Sequence, residues 1–173
     1  GAAAAAVPFI ASFQPSERAK ALGAPVTADI SQLEEGARVI YTWRGSPVWV
    51  VRRTPEMLET LPAIEGQLRD PKSEQPQQPA YVKAETRSIK PDLLVMVGVC
   101  THLGCSPLYR PEPASEDVPG EWDGGFFCPC HGSKFDLAGR VYKGVPAPLN
   151  MVVPPHRYES DTVIVIGEDT ETA

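Results

Sequence analysis

The sequence predicts a mainly β protein in which a small lobe rich in cysteine and histidine is inserted into an antiparallel β-sandwich base fold. Three observations carry this prediction. Side chains in 38–43 alternate with the two-residue period of a strand. The segment 106–127 is rich in proline and glycine, which indicates a connection without a helix. Of the 4 cysteines and 3 histidines, all but His156 lie in two short segments that flank this connection.

The N-terminal residues 1–13 are apolar and uncharged. A membrane span needs about 20 residues, so this run is too short to cross a bilayer by itself. The run is either a flexible leader or the outer end of a membrane anchor. We favour the anchor because of its run of alanines.

A polar connection, residues 14–25, follows the apolar run. Ser16 is placed to cap a short helix, and Glu17 complements the helix start. Gly23 and Pro25 would end that helix. A helix of this length is not stable alone in water. We therefore expect a flexible hinge that is helical in one docked state and extended in another.

Residues 26–99 are predicted to be mainly β. The alternating strand 38–43, a turn at 44–47 and an apolar return at 48–51 indicate a hairpin. The continuous apolar run 93–99 predicts a buried strand. One short helix is expected to interrupt the strands.

That helix begins at Thr54, Pro55 and Glu56, which supply a cap, a first-turn proline and an early acid. It is expected to run to about Leu61.

Near the C-terminus, 163–166 predicts the last strand, and the acidic tail from residue 168 is expected to be loose. His156 follows two prolines and is interpreted as an exposed loop residue.

The two cysteine and histidine segments are residues 100–105 and 128–133, called here the first and second box. They read Cys-Thr-His-Leu-Gly-Cys and Cys-Pro-Cys-His-Gly-Ser. One cysteine and one histidine from each box can reach a common metal, which leaves one cysteine per box. Two thiolates and two imidazoles are the ligands of a Rieske [2Fe-2S] centre. They could also bind zinc, or the four cysteines could form two disulfides, but neither alternative explains the histidine spacing.

These boxes resemble those of the Rieske iron–sulfur protein of respiratory cytochrome bc complexes. The strand 94–99, the exit segment 133–141 and the proline loop 144–150 are similar as well. The resemblance implies a Rieske fold and a Rieske-type [2Fe-2S] cluster. It implies that Cys100 and Cys128 bind one iron of the cluster and that His102 and His131 bind the other. It also implies a disulfide between Cys105 and Cys130.

The resemblance also assigns residues around the cluster. Leu103 is expected to shield it from water, and Pro146 belongs to the proline loop beside it. Ser133 is placed to donate a hydrogen bond to a cluster sulfur. Position 135 is tyrosine in many family members, and its hydroxyl donates to a ligating sulfur. This chain has Phe135 instead, so we expect a lower midpoint potential than in relatives with tyrosine.

The implied function is one-electron transfer from quinol to a c-type cytochrome, with His131 or His102 accepting the quinol proton. The chain would be the redox subunit of a dimeric quinol–cytochrome c reductase and would need a cytochrome b partner. The family implies a bacterial inner membrane, a single N-terminal anchor and a periplasmic head. The expected domains are the anchor end 1–13, the hinge 14–25, the base fold 26–99 with 147–173, and the cluster-binding lobe 100–146.

Other functions are weighed against this one. A net charge of −6 without a run of lysine or arginine argues against nucleic-acid binding. The alternative enzyme is the small Rieske subunit of an arsenite-oxidase-like molybdenum enzyme, which uses similar boxes. A soluble Rieske ferredoxin is disfavoured because such proteins lack the cysteine pair represented by Cys105 and Cys130. A photosynthetic cytochrome b/f complex would differ mainly in its partners.

Overall fold

The computed structural model describes residues 1–14 and 16–169. The elements in chain order are α1 Ala2–Ser12, α2 Glu17–Gly23, β1 Val26–Asp29, β2 Arg38–Trp43, β3 Ser46–Arg52, α3 Pro55–Ala63, a 3-10 turn Glu65–Gln67, β4 Leu93–Val97, β5 Leu108–Arg110, β6 Gly125–Cys128, β7 Ser133–Phe135, β8 His156–Ser160 and β9 Val163–Ile166. Within that part of the chain, the nine strands form three antiparallel sheets of three strands each, ordered β1-β9-β8, β2-β3-β4 and β5-β6-β7. The mainly β prediction is confirmed.

Two of the sheets share one hydrophobic core. Ala28 of β1 and Ile164 of β9 pack with Val48, Val50 and Val95 of the β2-β3-β4 sheet. The alternation of a strand directs every second side chain to one face, so both sheets present an apolar face to this core. These two sheets form the base fold onto which the third sheet is built.

The β2–β3 hairpin is closed by a two-residue turn. Trp43 pairs with Ser46, which leaves Arg44 and Gly45 as the turn. Their φ angles are 51° and 74°, and positive φ at both central residues suits the right-handed twist of a hairpin. The predicted hairpin is confirmed, but β3 begins at Ser46 rather than Val48 because this tight turn returns the chain at once.

Two helix starts are capped as the sequence predicts. The Oγ of Ser16 accepts a hydrogen bond from the backbone N–H of Ala19 at 3.1 Å at the start of α2. At α3, the Oγ1 of Thr54 accepts from the N–H of Met57 at 3.2 Å. Such caps satisfy backbone donors that a helix leaves unpaired.

The first helix, α1, exposes its apolar side chains. In residues 1–14 and 16–169, no helix has the length and apolarity required to cross a membrane.

Two strands of the third sheet, β5 and most of β6, lie inside the segment 106–127, which is predicted to be a loop-rich connection without a helix. The structure has no helix in these residues, but the two strands, which pair through Leu108 and Phe127, are not predicted. Strands of three or four residues are too short to show a period, and the neighbouring prolines and glycines concealed them. Burial of Phe126, which pairs with Phe135 across β6 and β7, holds the sheet together.

The expectation that β4 would extend to residue 99 is also wrong. The strand ends at Val97, and the next residue, Gly98, lies against the indole of Trp49. A Cβ at position 98 would overlap the ring, so the chain leaves the sheet at a position that only glycine fills without displacing Trp49.

The exposed loop position predicted for His156 is wrong. This residue begins β8 and is 1% exposed. Its backbone N–H donates to the hydroxyl of Tyr81 at 3.0 Å, and its ring Nδ1 lies 2.8 Å from the carbonyl of Pro154. The neighbouring prolines resemble a loop in sequence, whereas here they lead directly into a buried strand. Burial lowers the pKa of the imidazole.

The tail is predicted to be loose from residue 168, but its two described residues, Glu168 and Asp169, contact the rest of the protein or are buried in it. Arg157 donates to the Glu168 carboxylate at 3.3 Å, and Asp169 is buried. Residues 170–173 lie outside the described residues.

Candidate metal centre

The two boxes lie on adjacent loops at one end of the β5-β6-β7 sheet. The second box connects β6 to β7, and the pairing of Cys128 with Ser133 closes it. The first box follows β4 and is closed by the N–H of Cys100, which donates to the carbonyl of Cys105 at 2.7 Å. Gly104 has a φ of 85°, which glycine adopts without strain. Both boxes are therefore short loops held by their own backbone.

A disulfide joins the loops. Cys105 and Cys130 are bonded, with their Cα atoms 6.7 Å apart and a sequence separation of 25. The pairing implied by the family resemblance is confirmed. Cys100 and Cys128 are free thiols, and both are buried. Each box thus contributes one cysteine to the cross-link and keeps one for a metal.

Three sulfur atoms lie close together beside this cross-link. The sulfurs of Cys105, Cys128 and Cys130 are all within 4.8 Å of one another. Two of them are joined in the disulfide and cannot act as thiolates. The grouping therefore shows how near Cys128 lies to the disulfide, and it is not a separate site with three thiolates.

The two histidines of the boxes face each other. The ring centroids of His102 and His131 are 4.8 Å apart, with the ring planes at 89°. His131 is exposed and His102 is half-buried, whereas the free thiols of Cys100 and Cys128 are buried. The site therefore has an inner side of sulfur donors and an outer side of nitrogen donors.

The electrostatics around Cys100 fit a metal ligand. Burial raises the pKa of its thiol, and hydrogen bonds from the His102 N–H and the Ser133 hydroxyl oppose that effect by favouring the thiolate. The thiol of Cys128 is a further hydrogen-bond partner that raises the pKa. Two neighbouring thiols that repel each other as anions are stabilised when both bind a cation. The donor set of two thiols and two imidazoles fits an iron–sulfur cluster of Rieske type.

One hydroxyl from each box binds the proline loop. The Oγ of Ser133 accepts from the N–H of Ala147 at 3.0 Å. The hydroxyl of Thr101 donates to the carbonyl of Leu149 at 2.6 Å. Sequence reasoning assigned no role to Thr101, although its position between two ligand-type residues was the signal. The proline loop, which includes the exposed Pro146, is fixed to both boxes.

The remaining predicted residues lie on opposite sides of the site. Phe135 is fully buried in the core that contains Cys100, Cys128 and Phe126. Leu103 is 72% exposed at the tip of the first box. The structure thus brings Phe135 next to the buried thiols and leaves Leu103 at the outer surface beside the histidines.

Comparisons with known proteins agree with this site. A family model described as "Rieske [2Fe-2S] domain" matches residues 25–155. The chain is 61% identical over 173 residues to a "Ubiquinol-cytochrome c reductase iron-sulfur subunit" of Allochromatium vinosum, covering all of this chain and 84% of that protein. The chain belongs to the family of Rieske iron–sulfur subunits. A second subunit with the same name, from Rhodospirillum rubrum, is 44% identical over 168 residues, which cover 96% of this Rieske subunit and 83% of the relative.

A solved structure extends the match to the fold of the Rieske subunit. A chain of "Hyperthermophilic respiratory Complex III" superposes with a TM-score of 0.53 and 26% identity, covering 94% of this subunit and 95% of that chain. A Rieske-type [2Fe-2S] cluster is therefore the cofactor of this subunit. The relatives do not favour the molybdenum-enzyme alternative, because those named here are reductase subunits.

Proposed function

We propose that this Rieske subunit is the one-electron carrier of a quinol–cytochrome c reductase, taking an electron from quinol and passing it to a c-type cytochrome. The observation that carries the proposal is the two-sided donor set, with buried free thiols on Cys100 and Cys128 and outward-facing imidazoles on His102 and His131. The names of its relatives support the same activity. The subunit is one part of that enzyme and needs its partners for the complete reaction.

The ligand assignment is part of the proposal. Cys100 and Cys128 bind one iron, and His102 and His131 bind the other. When bound, a cluster with this ligand set accepts a single electron at about −150 to +300 mV, above the range of plant-type ferredoxins, which suits quinol oxidation. The hydroxyl of Ser133 and the N–H of His102 orient toward the Cys100 sulfur and stabilise its anionic form.

The histidines also handle the proton of quinol. Each imidazole uses one ring nitrogen for metal and keeps the other for a hydrogen bond, so an outward-facing ring can accept the quinol hydroxyl proton. The exposure of His131 supports this role, and His102 lies beside it. Leu103 and Pro146 are exposed apolar residues of the first box and the proline loop, and they shield the cluster from bulk water.

The membrane arrangement is proposed from α1 and the relatives. Residues 1–13 form the outer end of a single N-terminal anchor in a bacterial inner membrane, and residues 14–25 form a hinge. The exposed side chains of Phe9 and Ile10 support contact with lipid. The head, with base fold 26–99 and 147–173 and lobe 100–146, lies on the periplasmic side. Its partners are cytochrome b and a c-type cytochrome in a dimeric complex.

The proposed function is tested on the full-length protein purified from detergent-solubilised membranes. We expect b-type and c-type haem bands in the reduced-minus-oxidised spectrum, together with quinol-dependent reduction of cytochrome c. The Cys128→Ser variant, which lacks one ligand thiol, should lose that reduction while the haem bands remain. Copurification with a molybdenum subunit, without b haem, would contradict the proposal.

A further inference from the structure

Three arginines are buried around the turn that follows β7, where they donate hydrogen bonds to Leu137, Ala138 and Asp136. Arg53 is 2% exposed, and Arg87 and Arg140 are 0% exposed. Moving a charged side chain from water into a protein interior costs several kcal/mol unless it is compensated. Buried groups with shifted pKa values are found preferentially at functional sites and in structural ion-pair networks.

One of the three arginines has carboxylate partners. The Nε of Arg140 donates to Asp136 Oδ2 at 2.7 Å, and Glu65 lies 3.7 Å from its Nη1. The other oxygen of Asp136 accepts from the backbone N–H groups of Ala138 and Arg140. The charge of Arg140 is therefore balanced within its own turn.

The other two arginines are hydrogen-bonded to neutral acceptors. Arg53 donates to the carbonyl of Leu137 at 3.1 Å and to the hydroxyl of Ser88 at 2.7 Å. Arg87 donates to the carbonyl of Met151 at 2.6 Å and to the side-chain oxygen of Gln78 at 3.0 Å. These bonds satisfy the donors but leave the positive charge in place.

The acidic groups that face these arginines are already engaged or lie toward solvent. Asp136 acts on both arginines but is paired with Arg140. Asp92, which acts on Arg53, is half exposed, and the carboxylate of Asp70, which acts on Arg87, accepts from two backbone N–H groups. Burial lowers the pKa of Arg53 and that of Arg87 to about 10, so both remain charged at neutral pH.

Arg87 lies beside the buried core that contains the ligand thiols. A Cβ at Gly139 would touch both the Met96 sulfur and Arg87 Nη1, so the two side chains meet at this glycine. Met96 and Met151 belong to the same buried core as Cys100 and Cys128. Interior of this kind screens charge weakly compared with water.

We propose that Arg87, together with Arg53, raises the reduction potential of the bound cluster by holding positive charge, without a carboxylate paired to it, in the interior beside the core that contains the ligand thiols. The inference rests on the proposed electron-carrier function. An added electron makes the site more negative, and a positive charge in weakly screening surroundings stabilises that state. The hydrogen bonds from Arg53 and Arg87 go to acceptors outside both boxes, so the arginines act through space and do not serve as catalytic residues.

The Gln78→Glu variant provides the most direct test. It keeps an acceptor for the Arg87 Nε while supplying a carboxylate that neutralises the guanidinium. We expect a several-fold decrease in the equilibrium constant for cluster reduction, measured by redox titration of the holoprotein. A tenfold decrease would correspond to about 59 mV for one electron. The matched control is Gln75→Glu, which adds the same charge at an exposed position of the same loop and should shift the equilibrium less.

A second pair of variants separates charge from geometry. Arg87→Gln removes the charge and should lower the midpoint potential, whereas Arg87→Lys keeps the charge and should stay closer to the wild type. If Arg87→Gln does not fold, the midpoint potential of Gln78→Glu alone tests whether the charge of Arg87 acts on the cluster. Raising the salt concentration should not abolish the shift, because buried charges are screened much less than exposed ones.

The outcomes distinguish this inference from the proposed function. A wild-type protein without a Rieske spectrum would contradict both the proposed function and this inference. A wild-type Rieske spectrum, combined with equal shifts in Gln78→Glu and Gln75→Glu, would overturn this inference alone.

Discussion

The hydroxyl of Ser133 joins the proline loop to the buried side of the metal site. Its oxygen accepts from the Ala147 N–H at 3.0 Å, and the same hydroxyl forms a hydrogen bond with the Cys100 thiol that favours the thiolate. The Ser133 hydroxyl accepts one hydrogen bond and donates another, and such chains of hydrogen bonds polarise one another. The hydrogen bond from the Ala147 N–H therefore strengthens the hydrogen bond from the Ser133 hydroxyl to the Cys100 sulfur. One side chain therefore couples the position of the loop to the charge on a ligand.

Replacing Ser133 with alanine should lower the midpoint potential. The lost hydrogen bond stabilises the more negative, reduced site, and a difference of about 1 kcal/mol corresponds to about 40 mV for one electron. The measurement is a redox titration followed by the optical spectrum. Ser106→Ala, at an exposed position just after the first box, is the control. An unchanged midpoint in Ser133→Ala would show that this hydroxyl does not act on the ligand sulfur.

The Phe135→Tyr change should move the potential in the opposite direction. Phe135 is buried in the same core as the two free thiols, and from the family resemblance we expect a hydroxyl on its ring to donate to a ligating sulfur. We expect an upward shift of a few tens of millivolts, on the order of a hydrogen bond that strengthens by about 1 kcal/mol. Phe127→Tyr adds the same hydroxyl within a different core cluster and should leave the potential near that of the wild type.

Breaking the disulfide should destabilise the metal site. Closing a loop over a sequence separation of 25 residues restricts the unfolded chain, which corresponds to about 3.5 kcal/mol. Cys105→Ser should therefore lower the temperature at which the cluster is lost, as followed by absorbance during heating. Cys130→Ser and the double variant should behave like the single variant, since all three lack the same bond. Cluster retention equal to the wild type at elevated temperature would refute this expectation.

His156 should make the base fold sensitive to acid. Burial lowers the pKa of its imidazole below the usual 6.5, so the unfolded chain binds the proton more readily than the folded one. The stabilising contribution is present above about pH 6.5 and is lost as the pH falls, by up to about 1.4 kcal/mol per pH unit. The free energy of unfolding of wild type and His156→Gln, measured by urea titration from pH 7 to 5, tests this. The difference between the two proteins should change with pH, and a constant difference would count against it.

The parts of the fold that were predictable from sequence are those with local signals. Thr54 and Ser16 were identified as caps because capping depends on residues a few positions apart, and both caps are present. The boxes likewise combine closely spaced cysteines and histidines whose chemistry limits the alternatives. The disulfide between Cys105 and Cys130 is confirmed, and the iron ligands remain a proposal.

Features that depend on distant partners were not predictable. His156 is buried by contacts with Tyr81, a residue far away in sequence, and nothing near the histidine signals that burial. Arg53 directly follows Arg52, and Arg87 lies between Glu85 and Lys90, and charged residues of this kind are typical of exposed positions. The acceptors that bury them come from segments up to 84 residues away. The three-residue strand β5 was missed for a related reason, since it exists only through its pairing with β6.

The disulfide has a consequence for how the metal site is filled. As a covalent bond it does not depend on a metal, and it keeps the two loops joined with the Cα atoms of Cys105 and Cys130 6.7 Å apart. Each box then meets the other at an effective concentration of about millimolar or higher, as expected for short tethers. An incoming cluster therefore encounters four donors as one chelating unit, and the second loop binds without a separate encounter.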